Sequence, residues 1–332
     1  SGKAAVALIA AALFAFHPMR VESVTWVTAR RDLLYTCFYF LSLIQYLKYV
    51  RGVKTGMGSR HCYLAALVFF LFSCLSKGMA VSLCLILFLI DYYESRKITK
   101  KMVFDKTPFF IMALVFGLIA VFATHNKDMI AGYSDYTWVE RLLFACYALL
   151  FYIYKLILPT GLSVVYPYPD YESGMLPSYY WAFMLICTLL AAIMVYSIKK
   201  WRNTVFGFGF FLFTLVFVLQ LIPVNYAIVA DRYTYISSVG LCFLAGNAIC
   251  DFLIWAGNKK LNKQLVNPGL SLLVFTVLGV YAYLSYIRIK VWENGLTLWS
   301  DVIQNYPGHA MAYNMKGDVF KEQGRYSDAL QL

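Results

Sequence analysis

Ten long apolar runs constrain this chain more than any other feature of its sequence. They lie at about 4–16, 33–50, 62–76, 79–93, 107–124, 139–158, 179–198, 204–222, 233–256 and 268–287. A straight helical crossing of a bilayer needs about 20 apolar residues, so the shorter runs must borrow residues from their loops. Charged residues make up only 14% of the chain, against about a quarter in soluble domains. The sequence therefore predicts an all-α, polytopic membrane protein with a helical bundle.

The loops between the runs are of two kinds. Those at 48–60, 96–106, 199–202 and 259–263 are basic, which places them on the cytoplasmic side by the positive-inside rule. The loops at 17–32, 125–138, 159–178 and 223–232 are acidic or mixed and are assigned to the opposite side. The net charge of +12 therefore indicates orientation, and nucleic acid is not expected as a partner.

The run at 139–158 conflicts with this alternation because both of its flanking loops are assigned to the non-cytoplasmic side. We predict that it is re-entrant or lies along the outer surface, which leaves nine crossings. Such backbone is tolerated only where protein or a wet cavity covers it. For residues 62–93 we predict a helical hairpin with Lys77 at its turn.

Cysteine usage and short motifs argue against several other chemistries. The eight cysteines lie in or beside apolar runs without a CxxC pair, which indicates buried hydrophobes. Walker, HExxH and GxSxG motifs are absent from the sequence. We predict no metal site, no cofactor and no nucleotide site of the soluble type.

The last residues change character and follow a helical-repeat pattern. A helix is predicted from about Trp292 to Tyr306, and a second helix follows it. Gly324 suits the next turn, and Gly317 and Ala329 are small enough for close packing. We divide the chain into a membrane domain at 1–290 and the start of a tetratricopeptide-repeat α-solenoid at 291–332. One repeat cannot bury its own face, so further repeats are expected.

The stretch 17–32 concentrates polar residues between two apolar runs. If one helix continues beyond Pro18, then Glu22, Trp26 and Arg30 share a face, with Glu22 and Arg30 roughly 12 Å apart along the axis. They would then grip two ends of one ligand. The alternative is an interfacial amphipathic helix whose charges are merely solvated. A lone histidine before a proline, as at His17, is more often a helix cap.

The other candidate residues fall on the same predicted side of the membrane. Lys77 interrupts an apolar stretch, where a charge is costly and indicates a site, unless the lysine snorkels to the interface. Arg232 suits bidentate binding of phosphate, unless it pairs with Asp231 to pin two loops. The predicted substrate-binding residues are His17, Glu22, Arg30, Asp32, Lys77, Tyr166, Asp170, Asp231, Arg232 and Tyr233.

Several blocks together resemble one family. Residues 17–34 match the pattern HP-x-x-x-E-x-V-x-W-x-x-x-R-x-D-L-L of polytopic glycosyltransferases with C-terminal tetratricopeptide repeats. These include the transmembrane and tetratricopeptide-repeat O-mannosyltransferases. Residues 76–81 (SKGMAV) are similar to the family's SK-x-MAV block, and 230–235 (ADRYTY) to its A-E-R-Y-x-Y block. Gly78 after the lysine and the segment 158–167 point to the bacterial branch.

The resemblance implies a GT-C fold and transfer of a sugar, such as mannose, from a polyprenyl-phosphate donor. The acceptor would be a hydroxyl on protein or glycan at the non-cytoplasmic face, docked by the repeats. Arg232, Lys77 and Arg30 would then stabilise the lipid phosphate, while Glu22, Asp32 and Asp170 orient sugar or acceptor. The family's catalytic carboxylate lies in an earlier external loop. We expect this chain to be a fragment beginning after that loop, so the catalytic residue stays unassigned.

Two other functions fit the same residues. A transporter or flippase of polyprenyl-linked glycans would use the cations during passage, although no internal repeat of the spans is visible. A non-enzymatic scaffold would only display the repeats. The expected location is a bacterial inner membrane with a periplasmic site, or alternatively the endoplasmic reticulum with a luminal one.

Overall fold

The computed structural model describes residues 2–56, 60–125, 136–168, 176–219, 221, 227–259 and 263–332, and it is almost entirely helical. Its α-helices are α1 (Gly2–Phe16), α2 (Val21–Thr25), α3 (Arg30–Lys54), α4 (Arg60–Ser76), α5 (Leu83–Tyr93), α6 (Lys100–Phe104), α7 (Thr107–His125), α8 (Trp138–Ile157), α9 (Tyr179–Ser197), α10 (Arg202–Leu215), α11 (Thr234–Asn258), α12 (Lys263–Val291), α13 (Gly295–Asn305), α14 (Ala310–Glu322) and α15 (Tyr326–Ala329). Short 3-10 helices lie at Pro18–Arg20, Val27–Ala29, Gly78–Ser82, Val216–Val218 and Asp231–Tyr233. Two short antiparallel strands, β1 (Tyr166–Pro167) and β2 (Ala227–Val229), form a ribbon.

Each predicted apolar run overlaps one of these helices for most of its length, which confirms the all-α polytopic architecture. In the described part of the chain, five helices are long and apolar enough to cross a membrane. A sixth candidate is the pair Lys3–Phe16 and Pro18–Thr25, bent by 63°. Shorter apolar helices are Arg60–Ser76, Gly78–Tyr93 and Arg202–Val218. These segments overlap the runs that were expected to cross, and the number of nine crossings stays a prediction. The placement of α8 relative to the membrane stays a prediction.

Two aromatic-rich cores hold the bundle together. The first joins α3, α4, α5 and α7 around Tyr35, Tyr39, Tyr46, Phe70 and Phe109. The second joins α8, α9 and α10 to the β-ribbon around Phe144, Tyr152, Tyr166, Tyr180 and Phe211. Large rings bury much apolar area each, so such cores give rigidity to short helices. Met19, from the stretch 17–32, is buried in the second core.

The C-terminal helices pack on the membrane domain through the ribbon. Val302 of α13 and Ala312 of α14 form a buried cluster with Val165, next to β1, and Ala227 of β2 packs against it. Arg288, near the end of α12, donates to Asp301 of α13 at 2.8 Å. The predicted helices after residue 291 and the turn at Gly324 (φ 74°) are confirmed. Their identity as a tetratricopeptide repeat remains a prediction.

Helices α10 and α11 cross at two glycines, which brings their backbones into contact. A Cβ on Gly240 would meet the carbonyl oxygen of Gly207, and it would lie 2.9 Å from the Phe211 nitrogen. Backbone atoms cannot rotate away as a side chain can. This crossing matters for the site because α11 begins at Thr234, directly after the 3-10 turn Asp231–Tyr233.

We predict that Gly240→Ala destabilises the protein, because the added methyl group forces α10 and α11 apart. The expected loss is about 1–3 kcal/mol, the range for overpacking a core. The matched control is Gly279→Ala on α12, where nothing lies within 4 Å of the added Cβ. Thermal unfolding in detergent should show a lower midpoint for Gly240→Ala alone. Equal midpoints for the two variants would contradict the close crossing.

Candidate functional site

The stretch 17–32 is not one helix. The 3-10 turn at Pro18–Arg20 leads into α2, which ends where Trp26 adopts an extended conformation (φ −75°, ψ 114°). A second 3-10 turn then precedes α3. The expectation that Glu22, Trp26 and Arg30 share a helical face is therefore wrong. β-Branched residues crowd this stretch and weaken a continuous helix, and tertiary contacts decide the outcome.

Glu22 binds Arg232, which lies 210 positions later in the sequence. Its Oε1 accepts from Arg232 Nη1 at 2.5 Å, and its Oε2 accepts from the Arg232 backbone N–H at 2.9 Å. The Glu22 side chain is 2% exposed, whereas that of Arg232 is 21% exposed. The carboxylate thus fixes both the backbone and the guanidinium of Arg232. The alternative pairing of Arg232 with Asp231 is absent from the described contacts.

Asp32 and Lys77 form a second ion pair. Asp32 is in the first turn of α3, and Lys77 lies between α4 and the 3-10 turn Gly78–Ser82. The Lys77 ammonium donates to Asp32 Oδ1 and sits 5.5 Å from the centre of the Tyr35 ring. Asp32 is almost fully buried and Lys77 mostly so. Lys77 therefore does not simply snorkel into water; it is held by a carboxylate and an aromatic ring.

The two pairs belong to one electrostatic cluster. The Asp32 charge acts on Arg232, and Arg232 and Arg31 both repel the charge of Lys77. The Arg232 guanidinium also lies 5.3 Å from the Trp26 ring and 5.0 Å from the Tyr233 ring. Three sequence blocks far apart in the chain therefore meet at one place. We call Glu22, Asp32, Lys77 and Arg232 the charge cluster.

Asp231 is buried on the other side of Arg232 and is tied to the ribbon. The Tyr166 hydroxyl donates to Asp231 Oδ1 at 2.9 Å and accepts from the Ser163 N–H at 2.9 Å. Burial and then the charge of Asp231 raise the pKa of Tyr166 well above its ordinary value, so this hydroxyl stays protonated. Tyr166 is only 3% exposed. These contacts indicate that Tyr166 supports the segment 231–234.

His17 caps the 3-10 turn that follows it. Its Nδ1 accepts from the Met19 N–H at 3.3 Å, and its Nε2 lies 3.2 Å from the Leu156 carbonyl oxygen at the end of α8. The ring meets Tyr281 of α12 edge-on, with centroids 4.7 Å apart. His17 is buried, so it links α8 and α12 to the stretch 17–32.

Arg20 is a buried cation that the sequence did not single out. Nη1 donates to the Thr234 carbonyl at 2.9 Å, and Nη2 donates to the Thr234 hydroxyl at 2.8 Å. Its guanidinium lies 5.1 Å from the centre of the Phe14 ring. The Thr234 hydroxyl in turn donates to the Asp231 carbonyl at 2.8 Å. The only sequence signal for this role was an arginine between two apolar residues of the stretch.

The remaining candidates differ in their surroundings. Tyr233 is buried beside Arg232, with its ring centre 5.0 Å from the guanidinium carbon. Arg30 is exposed at the start of α3. Asp170 lies outside the described residues. Within the described ranges, no three His, Cys, Asp or Glu side chains converge as a metal site would require.

Comparison with known proteins gives one similar protein. Over 336 residues the chain is 24% identical to a protein O-mannosyl-transferase of Caenorhabditis elegans. The alignment covers 98% of this chain and 44% of that protein, so the chain spans less than half of the relative's length. No protein-family model and no solved structure matches the chain. The similarity supports the predicted resemblance to O-mannosyltransferases, while the bacterial branch remains a prediction.

We predict that losing one partner of the Glu22–Arg232 pair is worse than losing both. Arg232→Met leaves a buried carboxylate without its cation and should cost about 3–5 kcal/mol of unfolding free energy. Glu22→Gln/Arg232→Met should recover part of that loss. Chemical unfolding of Glu22→Gln, Arg232→Met and the double variant beside the wild type in detergent gives the coupling energy. Additive losses would show that the two residues do not interact.

A second prediction concerns the support of Asp231. Tyr166→Phe removes the hydroxyl that donates to the buried carboxylate and should lower the unfolding free energy by about 1.5–3 kcal/mol. Tyr154→Phe on α8 is the matched control, because that side chain is 50% exposed. Unfolding midpoints measured side by side check the difference. A midpoint unchanged by Tyr166→Phe would rule out the supporting role.

Proposed function

We propose that this chain belongs to a membrane glycosyltransferase of GT-C type that modifies protein. It would transfer a sugar, with mannose the first choice, from a polyprenyl-phosphate donor to a Ser or Thr hydroxyl. The observation that carries the proposal is the charge cluster, which gathers three of the resembling sequence blocks at the ends of apolar helices. The protein O-mannosyl-transferase of Caenorhabditis elegans supports the reaction class.

The electrostatics of Arg232 suit a departing lipid phosphate. Glu22 holds Nη1 and the backbone N–H, and no described residue accepts a hydrogen bond from Nη2. A guanidinium already fixed in position stabilises charge that develops in the transition state without reorganising. Lys77 adds a second cation held by Asp32. In this scheme the two carboxylates orient the cations, and His17 and Tyr166 support the scaffold.

The scheme also needs a base for the acceptor hydroxyl. The carboxylates of Glu22 and Asp32 each form an ion pair with a cation. The carboxylate of Asp231 is buried and accepts a hydrogen bond from the Tyr166 hydroxyl. We therefore assign none of these three as the base. No metal or cofactor is required of the residues in the cluster.

In this proposal the C-terminal helices receive the acceptor. Their contact with β1 and β2 places them one layer away from Asp231, through Tyr306 and Tyr166, whose ring centroids are 6.2 Å apart. We propose that residues 291–332 begin a tetratricopeptide-repeat solenoid that docks the acceptor protein, with the membrane domain at 1–290. The location we propose is a bacterial inner membrane with a periplasmic site; the luminal face of the endoplasmic reticulum is the alternative.

Transfer in proteoliposomes tests the proposal. The protein is purified in its full-length form, with any residues that flank this chain. It receives polyprenyl-phosphate mannose and a Ser/Thr-rich peptide, and mass spectrometry follows the gain of a hexose. We expect transfer by the wild type and a loss of at least about 100-fold in Arg232→Gln, because one preorganised donor is worth about that much. Lys48→Gln, an exposed lysine at the far end of α3, is the matched control and should keep wild-type activity.

Two outcomes would overturn the proposal. Full activity in Arg232→Gln would exclude the phosphate role of the arginine. Movement of the intact donor across the bilayer without sugar transfer would instead support the hypothesis that the protein is a flippase. Polyprenyl-phosphate glucose and galactose, offered in parallel, determine whether mannose is the sugar used.

A further inference from the structure

A groove opens between four helices at the end of the bundle opposite the charge cluster. It is lined by α3, α5, α10 and α11 and encloses about 290 Å³, close to the ~300 Å³ at which ligand pockets begin. Asp32 of the charge cluster and Arg51 of the groove lie near opposite ends of α3, roughly 28 Å apart along the helix axis. The groove is therefore separate from the candidate functional site.

Aromatic and aliphatic side chains form the body of the groove. The rings of Tyr93, Phe206 and Phe243 make one wall and contact one another, and the Tyr93 and Phe206 centroids are 4.6 Å apart. Rings packed in this way form a rigid apolar surface. Ile44 lines the groove from α3 and is 48% exposed, so the groove is open on its outer side. In a membrane, such an open apolar groove faces acyl chains.

The length of the groove matches one leaflet of a bilayer. Along α3 the groove extends from Phe40 to Arg51, which is roughly 16 Å. The hydrocarbon core of a bilayer is about 30 Å thick, so each leaflet contributes about 15 Å. Among the described residues that line the groove, only Arg51 and Glu94 are charged, and they form an ion pair. We call the part of the groove at this pair its charged end.

Positive charge exceeds negative charge at the charged end. Glu94 Oε1 accepts from Arg51 Nε at 3.0 Å and from Nη2 at 2.9 Å, and Glu94 Oε2 accepts from Lys54 Nζ at 3.2 Å. Arg202 donates to the hydroxyl of the next residue, Ser95. Three cations therefore surround one carboxylate. The side chains of Arg51 and Lys54 are 60% and 38% exposed, so both remain accessible to a further anion.

The neighbouring carboxylates do not balance this excess. Arg96 pairs with Asp91 and Asp105, and Lys106 pairs with Asp91. These two cations and two carboxylates neutralise each other. The positive-inside rule accounts for basic residues in these loops, but it does not require them to meet. Here the ends of α3 and α10 bring three cations to one end of an apolar groove, which indicates a ligand with an apolar chain and an anionic head.

We infer that this groove binds an anionic phospholipid. One acyl chain lies along α3 against the aromatic wall, and the phosphate of the head group binds Arg51, Lys54 and Arg202. Basic pockets between transmembrane helices recognise anionic head groups through the same chemistry. Gly240 also lines the groove, so the bound chain packs against the crossing of α10 and α11 and stabilises it. The inference requires only that the helices lie in a membrane, and it does not rest on the proposed function.

Lipid binding tests the contacts of the head group. The full-length protein is delipidated in detergent and titrated with phosphatidylglycerol or phosphatidylcholine of identical acyl chains, and native mass spectrometry counts the bound lipid. Phosphatidylglycerol should bind about tenfold or more tightly, and Arg51→Gln should remove most of that preference, because one charge-assisted contact has about this value. Arg60→Gln is the matched control: this exposed arginine at the start of α4 does not line the groove, and its loss should leave the preference intact.

A second pair of variants tests the position of the acyl chain. Ile44→Trp fills the groove from its exposed side and should weaken phosphatidylglycerol about tenfold or more, as a lost charge-assisted contact does. Leu64→Trp is the matched control, because Leu64 is 56% exposed on α4 and lies outside the groove. Phosphatidylglycerol should also raise the thermal unfolding midpoint of the wild type and of Leu64→Trp, since a ligand that binds the folded state stabilises it. Ile44→Trp should show no such rise.

Four results would overturn the inference. Equal affinity for the two phospholipids, or a preference that Arg51→Gln leaves intact, would exclude the head-group contacts. Wild-type affinity in Ile44→Trp would exclude the groove as the site of the acyl chain. Tighter Arg51-dependent binding of polyprenyl phosphate than of phosphatidylglycerol would assign the groove to the sugar donor instead. A dimer that Ile44→Trp dissociates would assign it to a second copy of the chain.

Discussion

The buried carboxylate of Glu22 is the constraint on which the candidate site depends. A charge removed from water is tolerated only with a close counter-charge, and the nearest available cation is Arg232. Satisfying Glu22 brings α2 against the start of α11, although more than two hundred positions separate the residues. The same contact pins the backbone N–H of Arg232, so the segment 231–234 has little freedom to move.

Other contacts follow from that junction. Arg20 holds Thr234, Thr234 holds the Asp231 carbonyl, and Tyr166 donates to the Asp231 carboxylate. The ribbon that carries Tyr166 also receives the C-terminal helices, so the membrane bundle and the helical pair meet at the site. A charge arrangement of this kind is preorganised, which is what the proposed stabilisation of a departing phosphate requires. Arg30 and Arg31 lie exposed at the start of α3, and neither takes part in these contacts.

Much of the architecture was predictable because its cause is local in sequence. Apolar runs that cross a bilayer must be helical, and each predicted run overlaps a helix for most of its length. Asn294 and Gly324, which begin and end helices after residue 291, act through neighbouring backbone groups. The stretch 17–32 is an exception. Its helix ends at Trp26, because weak helix formers adopt the conformation that tertiary contacts favour.

The sequence alone determined that this chain is a helical membrane protein. It also indicated which polar stretches carry the candidate site residues. Only the tertiary structure decided the pairing: Glu22 with Arg232 and not Arg232 with Asp231, and Asp32 with Lys77. It also revealed that Arg20 is buried, whereas Arg31 is exposed. The physical reason is range. Hydropathy is a property of consecutive residues, so the sequence shows it directly. The partner of a buried charge is determined only when the helices pack and bring distant residues together.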